Sequence, residues 1–204
     1  MSEREMTMEY SASSVKYLLW FVETRETARM LKGHSPEEIR NIVLEENTYQ
    51  QKDRSRIINE YGCIMRRIEA IPGSLVELLL RTDVATAKLI VLISAMASDR
   101  MLFELMYEVY RSKIRFGEEQ LVDSDLNVFF GNKADQSEIV AAWTEATVKK
   151  LKASYSRILL EAGLLRKEGT KTKIITRPYI DPELREILVR ESMSDYLYAL
   201  TGEA

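Results

Sequence analysis

Residues 145–165 read EATVKKLKASYSRILLEAGLL, and the way this stretch folds decides what its surroundings can be. At about 100° per residue, Val148, Leu151, Tyr155, Ile158, Leu159 and Ala162 fall on one apolar stripe, which predicts a helix over 145–162 ended by Gly163. The opposite face carries Ala146, Lys149, Lys150, Ala153, Ser156 and Arg157, so cations alternate with small side chains and no acid intervenes between 146 and 158. Just upstream, 124–133 and 137–143 have the periodicity of short helices. Downstream, Leu164-Leu165, a charged tract containing Gly169 and then Ile174-Ile175-Thr176 read as two short strands of a hairpin. Short helix, long helix and hairpin in that order outline a winged helix-turn-helix. The pattern also permits one continuous helix over 137–162, which leaves the turn open.

Charge singles out the same stretch. Between 149 and 177 there are nine basic residues and two acids, leaving 20 bases and 30 acids elsewhere, so a net charge of −3 conceals a basic lobe. A charged helix face is ordinarily only solvated, but such faces usually mix both signs for i,i+4 pairing, and this one does not. Lys149, Lys150, Lys152 and Arg157 on the helix, with Lys167, Lys171 and Lys173 on the hairpin, are therefore the candidate contacts to nucleic-acid phosphates. The outward face has no Asn or Gln to read adenine, so the expected partner is double-stranded DNA bound mainly through its backbone. Two alternatives stay open: an RNA-binding helical protein, and a scaffold whose basic face docks an acidic partner protein.

Working outward, the fold class reads as all-α: a helical bundle with winged helix-turn-helix elements and one short β-hairpin wing near the C-terminus. The four prolines lie at 36, 72, 178 and 182, leaving a long proline-free middle. Helices are expected over 14–32, from a Ser35-Pro36-Glu37-Glu38 capping box to Asn47, from there to about 71, and over 74–81, 84–98 and 100–116. The 84–98 segment is apolar nearly all round and belongs at the bundle centre. Three regions follow: 1–72 helical, 73–122 a central core, and 123–204 winged-helix-like with a helical tail begun by Asp181-Pro182. A second helix-turn-helix is conceivable in 35–71, with Lys52, Arg56, Asn59 and Arg67 outward. Only five bases against three acids lie between 48 and 70, which favours a plain bundle there.

Chemistry is sparse. The one cysteine, Cys63, has no visible activating base and reads as a buried thiol; the one histidine, His34, sits between a glycine stop and a serine cap as a turn residue. Isolated glycines give no phosphate loop, and Met96, Met101 and Met106 read as core filler. No enzymatic activity, metal or cofactor is expected. Tyr196 and Tyr198 would either form a contact patch or dock the tail. The longest apolar run, 89–97, is far short of the roughly 20 residues that span a bilayer, and the first residues lack the apolar core of a secretory signal. A cytoplasmic location is expected.

Several local patterns taken together resemble the BrxA family: Tyr10-Ser11-Ala12-Ser13, Val43-Leu44-Glu45-Glu46-Asn47, Phe129-Phe130, Lys133-Ala134, Thr144-Glu145-Ala146-Thr147, Lys149-Lys150-Leu151 and Glu161-Ala162-Gly163-Leu164-Leu165. The tail after Pro178 departs from that pattern. The resemblance implies a small, non-enzymatic component of a bacteriophage exclusion (BREX) defence system. It further implies winged helix-turn-helix elements, double-stranded DNA as ligand and other defence-system proteins as partners.

Overall fold

Ser35 opens a helix as a capping box must: its Oγ accepts from the Glu38 N–H at 3.3 Å, and Glu38 Oε2 accepts from the Ser35 N–H at 2.7 Å. In the computed structural model, which describes residues 8–168 and 172–203, local signals of this kind set most boundaries. The helices of the first half are α1 (Phe21–Met30), α2 (Pro36–Glu46), α3 (Arg54–Glu69), α4 (Gly73–Arg81) and α5 (Val84–Ala97). Next come α6 (Arg100–Glu104), a π-helical stretch (Leu105–Tyr110) and α7 (Arg111–Phe116). The C-terminal part runs β1 (Gln120–Leu121), α8 (Asp123–Gln136), α9 (Glu138–Ala141), α10 (Glu145–Glu161), β2 (Leu165–Glu168), β3 (Thr172–Ile175), α11 (Pro182–Arg190) and α12 (Ser194–Thr201).

The expected bundle centre is the observed one. From Leu89 to Ala97 every residue of α5 is buried, and Ser94 satisfies its hydroxyl locally on the Val91 carbonyl at 2.7 Å. Helices α1, α3, α4, α6 and α10 all pack against it. Met96, Met101 and Met106 are fully buried, and burial raises the Cys63 thiol above its ordinary range. Tyr196 settles against Phe103, ring centroids 5.1 Å apart, so this tyrosine docks the tail onto its own chain.

Four sequence expectations need correction. The helix expected over 14–32 is broken into a 3₁₀ turn (Ser13–Lys16), an extended piece and α1, because side chains from elsewhere take the backbone acceptors. The Leu18 and Leu19 carbonyls, which a helix would give to its own N–H groups four residues on, accept from Arg67 at 2.9 and 3.1 Å. Trp20 turns the corner with φ at 52°. The helix expected from about 48 starts only at Arg54. Tyr49 dips into the core to meet Thr27 at 2.5 Å, and Asp53 caps the new start on the Ser55 N–H. The 100–116 helix contains a π-helical stretch for which no sequence signal was apparent.

Finally, the hairpin is part of a three-stranded antiparallel sheet. Strand β1 pairs with β3, giving the order β1-β3-β2, so the protein is mostly helical with a small sheet and not purely helical apart from a two-stranded wing. At two residues, β1 is too short to show a period-2 pattern.

Candidate nucleic-acid interface

Thr144 decides the turn that the sequence left open. Its Oγ1 accepts from the Thr147 N–H at 3.2 Å, residues 142–144 separate α9 from α10, and the two helices are distinct. The apolar stripe of α10 then faces inward as its periodicity demands: Leu151, Tyr155, Ile158 and Leu159 are at most 1% exposed. Tyr155 also pins the helix chemically, its phenol donating to Asp99 Oδ2 at 3.0 Å. Burial raises the Asp99 carboxyl, while Ser14, the Leu102 N–H and Tyr155 oppose it. Tyr155 is pushed well above its ordinary range by burial and by that same carboxyl. On another side of α10, the Ser154 hydroxyl donates to the carbonyls of Ser14 and Tyr17 at 2.8 and 2.5 Å. Glu161 Oε2 accepts from the Leu19 N–H at 3.0 Å, so the N-terminal segment straps α10 to the bundle.

The seven candidate cations fall into three groups. Lys149 and Lys150 on α10 and Lys167 on β2 are exposed and have neither ion pair nor hydrogen bond among the described residues. Lys152, Arg157 and Lys173 are already engaged. Lys152 donates to Asn127 Oδ1 at 2.6 Å and lies 5.5 Å over the Phe130 ring; Arg157 pairs with Glu161 at 2.9 Å; Lys173 pairs with Asp123 at 3.0 Å. Lys171 lies outside the described residues. Register puts Lys167 directly opposite Lys173 across the hairpin, so two ammonium groups share one face. Like charges in that position destabilise a strand pair unless an anion sits between or beside them.

Lys149, Lys152, Arg157, Lys167 and Lys173 converge on a groove of about 1540 Å³ bounded by α8, α9, α10 and the hairpin. Its apolar lining includes Leu126, Phe130 and Val140, each at most 3% exposed, and Asp123, Glu145 and Glu161 are interspersed with the cations. Ser156, expected on the outward face, is only 7% exposed in the groove wall, and its hydroxyl has no hydrogen-bond partner among the described residues. With Ser154 also buried, the buried face of α10 is wider than the six-residue apolar stripe assigned to it.

Sequence reasoning missed the contribution of α8 and α9 to this region, above all Asn127, Gly131 and Trp143. The signal was present as Asn127-x-x-Phe130-Gly131-x-x-Ala134, an amide and two small residues at i, i+4 and i+7 on a single face. In the N-terminal half, Lys52, Arg56 and Asn59 are exposed, but Arg67 is not outward. It is 3% exposed, holds the Leu18 and Leu19 carbonyls, and lies 5.4 Å from the Trp20 ring centroid.

A family model described as BrxA matches residues 8–192, nearly the whole described chain. The chain belongs to the BrxA family. A relative from Bacillus cereus (strain H3081.97), named BREX protein BrxA, is 36% identical over 186 residues, covering 91% of this chain and 92% of that protein. The fold of this BrxA family member is also similar to a crystal structure of an uncharacterized protein from Magnetospirillum magneticum. The TM-score is 0.81 at 19% identity, over 96% of this chain and 100% of that one. No helix among the described residues of this family member is long and apolar enough to cross a membrane.

Proposed function

We propose that this chain is a non-enzymatic accessory protein of a BREX phage-defence system that binds double-stranded DNA through its phosphates, with α10 and the β2–β3 hairpin as the contact. Membership of the BrxA family supports the defence setting. Three exposed lysines, Lys149, Lys150 and Lys167, that lack a counter-ion among the described residues carry the DNA reading. A folded chain that pairs Lys133, Lys113 and Lys173 with its own acids has the means to neutralise lysines, and on this surface it leaves them to an external anion. The winged helix-turn-helix reading is part of the same proposal. Its support is the order strand, helices, long helix, hairpin, together with the β1-β3-β2 sheet in which the hairpin supplies the central strand and one edge. In this reading the protein positions or recruits other components on DNA and performs no chemistry.

The test is electrophoretic mobility of two unrelated duplexes with the purified chain across a salt series. Both duplexes should shift with similar affinity, weakening steeply as salt rises. Replacing Lys149, Lys150 and Lys167 together with alanine should leave the helical circular-dichroism signal intact and flatten the log–log salt slope by about 0.9 per lost contact. An unchanged slope would refute the proposal.

A further inference from the structure

The residues of α10 that would meet base edges if the helix lay in a major groove, Ala153 and Ser156, form a wall of the concavity described above. Only Ser156 is sunk into that wall; Lys149, Lys150, Ala153 and Arg157 stay exposed, so the concavity runs beside the cationic face of α10. The geometry points to a second ligand: we propose that the groove between α8 and α10 receives an acidic amphipathic helix from a partner protein. This rests on the groove itself and not on the duplex contacts assigned to Lys149, Lys150 and Lys167.

Size, lining and charge each favour that occupant. Small-molecule sites enclose roughly 300–1,000 Å³, and this groove is larger, about 1540 Å³, and open along its length. The partly exposed apolar side chains of the lining, Trp143, Val148 and Leu160, suit the leucine face of an incoming helix, read at i, i+3, i+4 and i+7. Gly131 on α8 and Ala153 on α10 both line the groove and are both exposed and small, which lets a helix backbone approach. A Cβ built on Gly131 meets nothing within 4 Å. The rim supplies the charge complement. Lys167 and Lys173 face each other across the hairpin, and Asp123 holds Lys173 with a surface ion pair that a partner's carboxylate readily exchanges.

The probe is a fluorescein-labelled peptide of about 18 residues with leucines at i, i+3, i+4 and i+7 and glutamates elsewhere, long enough to fold as a helix. Two controls accompany it, a scrambled peptide of identical composition and oligoglutamate. Fluorescence anisotropy with the full chain should give saturable binding of the amphipathic peptide and at least tenfold weaker binding of both controls. Gly131→Phe, which projects a ring into open groove, should weaken the peptide at least tenfold while the duplex mobility shift and circular dichroism stay as in the wild type. Equal binding of all three peptides would overturn the proposal, because rim charge alone would then explain it. So would an intact duplex shift with no peptide binding, which leaves DNA binding standing. Loss of duplex and peptide binding together on blocking the groove would assign it to the nucleic-acid site and overturn the proposal as well. Peptide binding that persists in a wild-type chain with no duplex shift would support the groove and refute the DNA reading.

Discussion

Two glutamates, both almost sealed from water, are treated in opposite ways in the two halves of the molecule. Glu104, on α6 and 1% exposed, receives Lys133 at 2.7 Å, Arg100 at 2.8 Å and the Tyr10 phenol at 2.8 Å. Burial works to raise its carboxyl, and the hydrogen bonds from Lys133, Arg100 and Tyr10 outweigh burial, so it titrates below the ordinary range. Glu60, on α3 and 3% exposed, has Gln51 at 2.8 Å as its hydrogen-bond partner and one carboxyl oxygen with none. Burial and the nearby Glu23 charge push it up to about 7. Where a carboxylate ties three segments together, the fold supplies cations to hold it; where it only fills a polar gap, the fold leaves it to be protonated. Lys149 and Lys150 on α10 stand at a third extreme, exposed and without partners among the described residues.

The contrast breaks most visibly at Lys133. Removing it strands Glu104 and Glu108, which it holds at 2.7 and 2.6 Å, with a buried charge short of its strongest partner. Lys133→Ala should lower unfolding free energy by roughly 3 kcal/mol or more, seen as an earlier urea midpoint at neutral pH. A loss within about 0.5 kcal/mol would mean that Arg100 and Tyr10 suffice and that the lysine is incidental.

Glu60 sharpens the other side, through pH. Between its ordinary value near 4.5 and about 7, the folded chain holds a proton that the unfolded chain has released, so raising the pH across that window favours unfolding. Stability from this group is complete below about 4.5 and gone above about 7. Glu60→Gln keeps the acceptor for Gln51 and never ionises. It should flatten the decline and raise Tm at pH 8 by about 2–4 °C, measured by thermal melts across the window.

How far all this could be read from the chain depends on which forces were local. The α5 core, the Ser35 and Asp83 caps and the inward stripe of α10 follow from periodicity and capping chemistry, which act within a few residues. The strap over 13–20 does not. Its backbone acceptors go to Arg67 and Ser154, which are 48 or more residues away, and no pattern inside the segment encodes that. The cationic surface was half legible. Charge counting found its lysines, but which of them the chain keeps for itself depends on Asp123 and Asn127 on α8, brought near only by folding. The groove's α8 side left a trace in the spacing over 127–134, but its placement beside α10 depends on the same long-range folding.

At the surface the same distinction predicts a gain. Asp123 is 86% exposed and holds Lys173 at 3.0 Å, an ion pair of the kind that contributes little to stability. Asp123→Ala frees an ammonium beside Lys167 and removes a negative charge from the groove. Duplex affinity at low salt should rise by about twofold to fivefold, with the urea midpoint nearly unmoved. A fall would place Asp123 among groups that orient the lysine for its ligand.

The smallest effect is expected at Arg157, although the sequence ranks it with the lysines beside it. Its Nε lies 2.9 Å from Glu161, whose other oxygen takes the Leu19 N–H, so the carboxylate is fixed by the strap and cannot swing away with the guanidinium. An arginine held by an anchored acid contributes little net positive potential. Arg157→Ala should therefore change duplex affinity by less than about twofold in a salt-series titration, while Lys149→Ala lowers it measurably. If the two substitutions weaken binding equally, Arg157 leaves Glu161 when DNA arrives. A side chain paired in the free protein would then be part of the interface, and the division between engaged and available charges would no longer hold for the bound state.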